Sequence, residues 1–401
     1  MSSPKPFTIA VSDEKLDWIT QRVATAHIIP DIEHPAGKEW EDGVPPAIAK
    51  ELVDFWRDSY DWRKVEARLN ATFKMFTVDI DDLDVHFVHH KSTRQDAIPL
   101  IFVHGWPGNF LEVEGLLECL VEPVDPTAQA FHIVAPSLPG FAFSSEPSTP
   151  LFKLSEIAAL FDKLMVSVLG YTSYVAEGGD LGAGVVRCLA ANHPGCLAVH
   201  SNSSMAFDAP SPFKYPLAFL KLITSWYTPN EKTRFGRMVS WFTDHGAYAK
   251  LQGEKPQTVS YALMDSPVGL LTWIYDKTSR MVDPTFVWPY ETVITWTMIY
   301  LLAGSAGHAR IYKTMNVKGD LKLVGPSKPF GFSLFAHDVG YAPRWWAQGA
   351  VAENIVMWKE YEHGGHFPTL ECADVFAKDI QEFASVSIPR KSVQKLQDAG
   401  K

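Results

Sequence analysis

The segment Ser173-Tyr-Val-Ala-Glu-Gly-Gly-Asp180-Leu-Gly182-Ala-Gly-Val-Val-Arg187 runs from an apolar strand-like stretch, through a Gly-Gly-Asp-Leu-Gly turn, into a helical pattern. A strand-to-helix turn this tight needs glycine on both sides of its central residue. It strains that residue's backbone and lifts its side chain above the sheet. This is the G-x-S-x-G nucleophile elbow with Asp180 in the serine position. An aspartate capping an ordinary strand-to-helix turn has the same local pattern, so the surrounding chain must decide.

Outward from the elbow, short and nearly continuous apolar runs recur at 98–104, 131–136, 174–176, 197–200, 332–336 and 355–358. Such runs mark strands buried on both faces. Helical patterns at 110–121, 154–168 and 182–191 lie between several of them. The alternation predicts an α/β fold with a mostly parallel central sheet and helices on both faces. Between 206 and 315 the strand signal stops and aromatic residues recur at helical spacing, which predicts a helical lid inserted over the sheet. Before the first buried run, Ser12 caps a helix over 12–26, a second helix follows Pro45-Pro46, and Asp81-Asp82 turns a hairpin within 76–90. The expected organisation is an N-terminal helical meander over 1–92, core over 93–205, lid over 206–315 and core again over 316–401.

Composition narrows the function. The 401 residues are 46% hydrophobic and 20% charged, with a net charge of −10, the profile of a globular protein. The acidic balance and the scatter of Lys and Arg argue against a nucleic-acid or anionic-membrane partner. Cys119, Cys188, Cys196 and Cys372 match no zinc or redox spacing and are expected to be reduced, mostly buried thiols. No signal peptide and no apolar span of membrane length is apparent, so a soluble, cytoplasmic protein without an anchor is expected.

Two further motifs fit around Asp180. His104-Gly105-Trp106-Pro107-Gly108 follows the first buried run. In elbow-bearing hydrolases a loop there gives one backbone N–H to an oxyanion hole and the residue after the nucleophile gives the other, here Trp106 and Leu181. Near the C-terminus, Tyr361-Glu-His363-Gly-Gly-His366-Phe-Pro368 follows the last strand. His366, after the glycine pair, is preferred to His363 as the base. Asp338, in Phe335-Ala-His-Asp338, stands where the orienting acid belongs. The order Asp180, Asp338, His366 matches nucleophile, acid, base. A carboxylate in the nucleophile position attacks an sp³ carbon and leaves an alkyl ester, which activated water then hydrolyses. The leaving group is a halide or the ring oxygen of an epoxide. A halide calls for a donor such as Trp beside the nucleophile, where this chain has Leu181. An epoxide calls for an acid such as tyrosine, whose ordinary pKa of about 10 keeps it protonated.

The chain resembles the microsomal type of epoxide hydrolase within the α/β-hydrolase superfamily, and is most similar to its soluble fungal members. The likeness covers nearly the whole chain. It is carried by Leu52-Val-Asp-Phe-Trp-Arg57, Tyr60-Asp-Trp-Arg-Lys64, the His104–Gly108 motif, Pro136-Ser-Leu-Pro-Gly-Phe-Ala-Phe-Ser144, Lys255-Pro-Gln-Thr258 and Asp265-Ser-Pro-Val-Gly-Leu-Leu271. The resemblance implies Asp180 as nucleophile, His366 as base, Asp338 as its acid, and Tyr248 and Tyr312 as ring-opening donors, with Tyr261, Tyr290 and Tyr300 as rivals. It implies no cofactor and no metal, a small apolar epoxide and water as partners, and no membrane anchor; a homodimer stays open. Leu181 replaces a frequent Trp, and Asp338 replaces the Glu of some relatives. Intramolecular epoxide opening to a cyclic ether, haloalkane dehalogenation and a non-catalytic ligand binder are the competing expectations.

Overall fold

The computed structural model describes residues 3–388; Met1, Ser2 and 389–401, into which the expected first and last segments run, lie outside the described residues. The strands are β1 (Lys5–Phe7), β2 (Met75–Ile80), β3 (Leu83–His90), β4 (Ile98–Val103), β5 (Phe131–Pro136), β6 (Tyr174–Gly178), β7 (Cys196–Ser201), β8 (Phe330–Leu334) and β9 (Ile355–Glu360). They form one sheet in the order β1-β2-β3-β5-β4-β6-β7-β8-β9. From β5 to β9 every neighbouring pair is parallel, and the order reverses about β4. The three N-terminal strands are antiparallel, with β3 paired to β5.

The α/β-hydrolase fold therefore stands as expected, with one difference. Residues 1–92 are not only a helical wrap, because three of their strands extend the core sheet. Asp81 and Asp82, both at positive φ (55° and 63°), turn the β2–β3 hairpin. The apolar runs at 98–104 and 174–176 become strands with every residue of β4 and β6 buried, whereas the run at 355–358 lies in β9, the edge strand of the sheet, where Val356 is exposed because no further strand or helix covers it on both faces. β4 and β6 pair in register from Leu100↔Val175 to Val103↔Gly178, which brings the ends of both strands to one edge of the sheet. The loops that carry chemistry leave from that edge, as ligand sites of open parallel sheets do.

Helices Asp13–Ala24, Pro46–Asp58 and Trp62–Thr72 precede the hairpin, the first capped by Ser12, whose hydroxyl accepts the N–H of Lys15. Between β7 and β8 the described segment is helical, from Pro216–Ile223 through Tyr290–Ala303 to the turn at Ile311–Asn316. Among the described residues no helix is long and apolar enough to cross a membrane. The cysteines are all free; Cys188, in the buried helix Asp180–Asn192, and Cys196, at the start of β7, are buried, whereas Cys119, within helix Glu114–Val121, and Cys372, at the N-cap of helix Ala373–Ser387, are half-buried.

Candidate active site

Asp180 is the first residue of helix Asp180–Asn192, directly after β6 and Gly179. Its φ is 49°, in the left-handed region that a non-glycine residue occupies only under constraint. Gly182 is what lets the turn close: a Cβ built there would lie 1.9 Å from the Val103 carbonyl oxygen of β4. The strain directs the carboxylate away from its own helix. Asp180 Oδ1 accepts the backbone N–H of Trp106 at 2.9 Å, and the carboxylate also draws on the N–H of Leu181. The elbow reading thus prevails over a helix cap, and the two N–H groups expected at an oxyanion hole meet on one carboxylate.

The loop that supplies Trp106 is fixed by His104. His104 Nδ1 lies 2.9 Å from the Gly105 carbonyl, and its Nε2 accepts the Leu138 N–H at 3.1 Å. These bonds define a neutral imidazole, and burial pushes its pKa down to about 4.

His366 lies on the loop after β9, and Asp338 on the loop after β8. The two loops are tied by the His337 N–H to the Gly364 carbonyl at 3.0 Å. His366 Nδ1 is 2.6 Å from Asp338 Oδ1, and its Nε2 is 3.8 Å from Asp180 Oδ2. Burial disfavours the charged ring, but Asp338, then Asp180 and Glu112, outweigh it and hold the imidazole up at about 9. Burial likewise lifts the Asp180 carboxyl above its usual range, while His366 and the Trp106 and Leu181 amides pull it back. His363, the other candidate, has a side chain 88% exposed and turned toward Asp283.

Tyr248, on helix Ala247–Glu254, and Tyr312, on Ile311–Asn316, are both buried. Tyr248 stacks on Trp106 with ring centroids 4.9 Å apart, and Tyr312 meets Trp106 edge-on at 5.7 Å. Both rings, Leu181, Asp180 and His366 line a cavity of about 430 Å³, whose remaining wall is mostly apolar, with Met205, Phe207, Trp241 and Phe242, but also carries Arg187, Asp208, Lys318 and Asp320. Burial first, and then the Asp180 charge for Tyr248 or the neighbouring Tyr248 for Tyr312, raise both phenols above their ordinary value. The rivals lie elsewhere. Tyr300 donates to the Gly108 carbonyl at 2.7 Å, Tyr290 donates to Glu51, and Tyr261 is 71% exposed.

Sequence pattern missed four acids around this centre. Asp283 accepts the Gly364 N–H, and Glu371 accepts those of Asp283 and Phe367, so both brace the His366 loop. Glu112 and Glu177 are buried beside Asp180 and His366. The available signal was a charge inside an apolar strand, in Tyr174-Val-Ala-Glu177-Gly.

Known proteins resemble the chain over nearly its whole length. Residues 4–113 match the family described as epoxide hydrolase N terminus, and residues 98–247 match the alpha/beta hydrolase fold. The solved structure of Aspergillus niger epoxide hydrolase is 32% identical, covers 96% of this chain and 97% of its own, and superposes with a TM-score of 0.84. The juvenile hormone epoxide hydrolase of the silkworm Bombyx mori is 25% identical, covers 99% of this chain and 96% of its own, and gives a TM-score of 0.85. Epoxide hydrolase 1 of Sus scrofa is 28% identical over 95% of this chain and 88% of its own length.

Proposed function

We propose, from the premise that this chain belongs to the epoxide hydrolase family, that it opens apolar epoxides through an alkyl ester on Asp180. The observation that carries this reading is the division of labour between the two carboxylate oxygens. Oδ1 sits on the Trp106 N–H, while Oδ2 faces the His366 side. Oδ1 is placed to remain the carbonyl oxygen of an ester, leaving Oδ2 to attack.

In the first step Oδ2 attacks an epoxide carbon, the C–O ring bond breaks, and the alkoxide takes a proton from Tyr248 or Tyr312. Burial and the Asp180 charge keep both phenols protonated before reaction. Alkylation removes that charge, so the phenols become stronger acids as the alkoxide develops. Loss of the Asp180 charge also lowers the His366 pKa from about 9, and its proton passes to the tyrosinate. In the second step the neutral His366 Nε2 takes a proton from water, whose oxygen adds to Asp180 Cγ. The oxyanion forms on Oδ1 against the Trp106 and Leu181 N–H groups. Collapse breaks the Cγ–Oδ2 bond, and the departing alkoxide takes the proton of the new Cγ–OH, so the diol leaves with Oδ2, Asp180 is again a carboxylate and His366 is again imidazolium. Asp338 holds the imidazole in orientation and stabilises its cation. The apolar wall of the cavity supports aryl or alkyl epoxides over charged ones.

Two variants test the scheme with styrene oxide as probe. Asp180→Ala abolishes diol formation, and His366→Gln forms an ester on Asp180 that persists, seen as a mass increment on the quenched protein. Full activity in Asp180→Ala would reject it.

A further inference from the structure

A second, much smaller cavity of about 20 Å³ lies behind the reacting carboxylate, lined by Glu112, Glu177, Asp180, Asn202, His366 and Thr369 among others. Its volume suits one water molecule. Asp180 and His366 are the residues whose side chains line both this chamber and the large apolar cavity, so they form the wall between the two.

The chamber is polar in a way the fold alone does not require. Glu177 is 1% exposed, and neither of its carboxyl oxygens has a hydrogen-bond partner. The buried Thr369 hydroxyl is also without one. Glu112 is 8% exposed, and its carboxyl reaches in over Gly108, where a Cβ would lie 1.7 Å from Oε1. An unpartnered buried carboxyl such as that of Glu177 costs several kcal/mol and is rarely kept without use, while the Glu112 carboxyl draws on the Asn109 backbone.

We propose that Glu112 and Glu177 are positioning residues that hold the hydrolytic water in this chamber, on the side of Asp180 and His366 away from the substrate. The inference rests on the alkyl-ester reading of Asp180. Two buried acids in one small chamber do not both ionise: burial lifts each above the ordinary carboxyl range, and Glu112 adds to the lift on Glu177. The pair therefore retains a proton at neutral pH. A protonated carboxyl donates to the water oxygen, and a carboxyl oxygen of the partner accepts one water hydrogen. The other hydrogen is left to point at His366 Nε2. The water then gives that proton to His366, and its oxygen forms the new bond to Asp180 Cγ as the Cγ–Oδ2 bond breaks. The protons of the glutamate pair are not consumed. Water thus reaches the ester from behind while the apolar cavity stays filled by the alkyl group.

The test separates ester formation from ester hydrolysis in rapid-quench single turnovers of the full chain with styrene oxide. It uses the near-isosteric variants Glu112→Gln, Glu177→Gln and the double variant, with melting temperatures measured in parallel. Ester formation is expected to stay within about twofold of the unmodified enzyme. Hydrolysis is expected to slow about tenfold in each single variant and about 10²-fold in the double one, so that alkyl-enzyme accumulates. Hydrolysis unchanged in the double variant, or both steps slowed alike, overturns the inference while leaving the ester reading intact. If the unmodified enzyme makes diol with no ester on Asp180, the ester reading falls and this inference falls with it.

Discussion

Replacing Asp338 by Asn removes one charge and almost no volume, which makes it a sharp probe of the hydrolytic half-reaction. The Asp338 Oδ1 to His366 Nδ1 contact is 2.6 Å, and Asp338 is the leading cause that raises the imidazole against its burial. The lift from 6.5 to about 9 is worth about 3 kcal/mol in favour of imidazolium. Once Asp180 is alkylated its charge is gone, and Asp338 becomes the chief anion supporting the cation that forms as water is deprotonated. Losing it should slow hydrolysis by about 10²-fold, since each 1.36 kcal/mol is tenfold. Ester formation uses Asp180 Oδ2 and the tyrosines and should change by no more than about threefold. The assay follows ester on the quenched protein and diol in solution over a single turnover. Asp338→Asn should carry ester through the steady state, whereas the unmodified enzyme clears it. Equal slowing of both steps, or hydrolysis at the original rate, would refute the role given to the Asp338–His366 pair.

The phenol pair should act on the other step. Tyr248→Phe and Tyr312→Phe should each slow ester formation by about 10-fold to 10²-fold and the double variant further, with hydrolysis of any ester little changed, as read from the same time courses. Asp180→Asn should lower the His366 pKa from about 9, because it removes one of the anions that raise it; histidine NMR titration reads this directly. His366 titrates higher folded than unfolded, so its ion pair stabilises the fold fully below about 6.5. That contribution fades as pH rises and is lost above about 9, and the pH slope in denaturant titrations should flatten in Asp338→Asn. Gly182→Ala should lower stability by about 1–3 kcal/mol in thermal unfolding, since the new methyl meets the Val103 carbonyl.

Much of this centre is legible in sequence because its constraints are local. Gly-Gly-Asp180-Leu-Gly182 is spaced by the turn it must make, and the strand at 98–103 announces itself by an unbroken apolar run. Asp338 and His366 follow from chain order, because parallel strands deliver their loops to one edge. The rest depends on contacts that periodicity does not encode. The strand Lys5–Phe7 is three residues with a central Pro and exists through its pairing with β2. Helix Ala373–Ser387 buries an amphipathic face, but its start at Cys372 has no side-chain cap to mark it in the sequence. Glu112 falls in a short 3₁₀ turn capped by Asn109, where a glutamate in sequence reads as a solvated residue; burial by the packed loop changes its character. Tyr300 and Tyr312 are alike in sequence, and only the hydrogen bond from Tyr300 to Gly108 sets the first apart from the reacting cavity.

The covalent ester on Asp180 is the claim from which the rest follows, and oxygen labelling tests it most directly. A single turnover is run in ¹⁸O-water with enzyme in excess over styrene oxide, and both the diol and the peptide bearing Asp180 are weighed. The account predicts an unlabelled diol, carrying Oδ2 of Asp180, and one ¹⁸O in the Asp180 carboxylate. A labelled diol with an unlabelled Asp180 peptide would mean that water opens the ring directly and would contradict it.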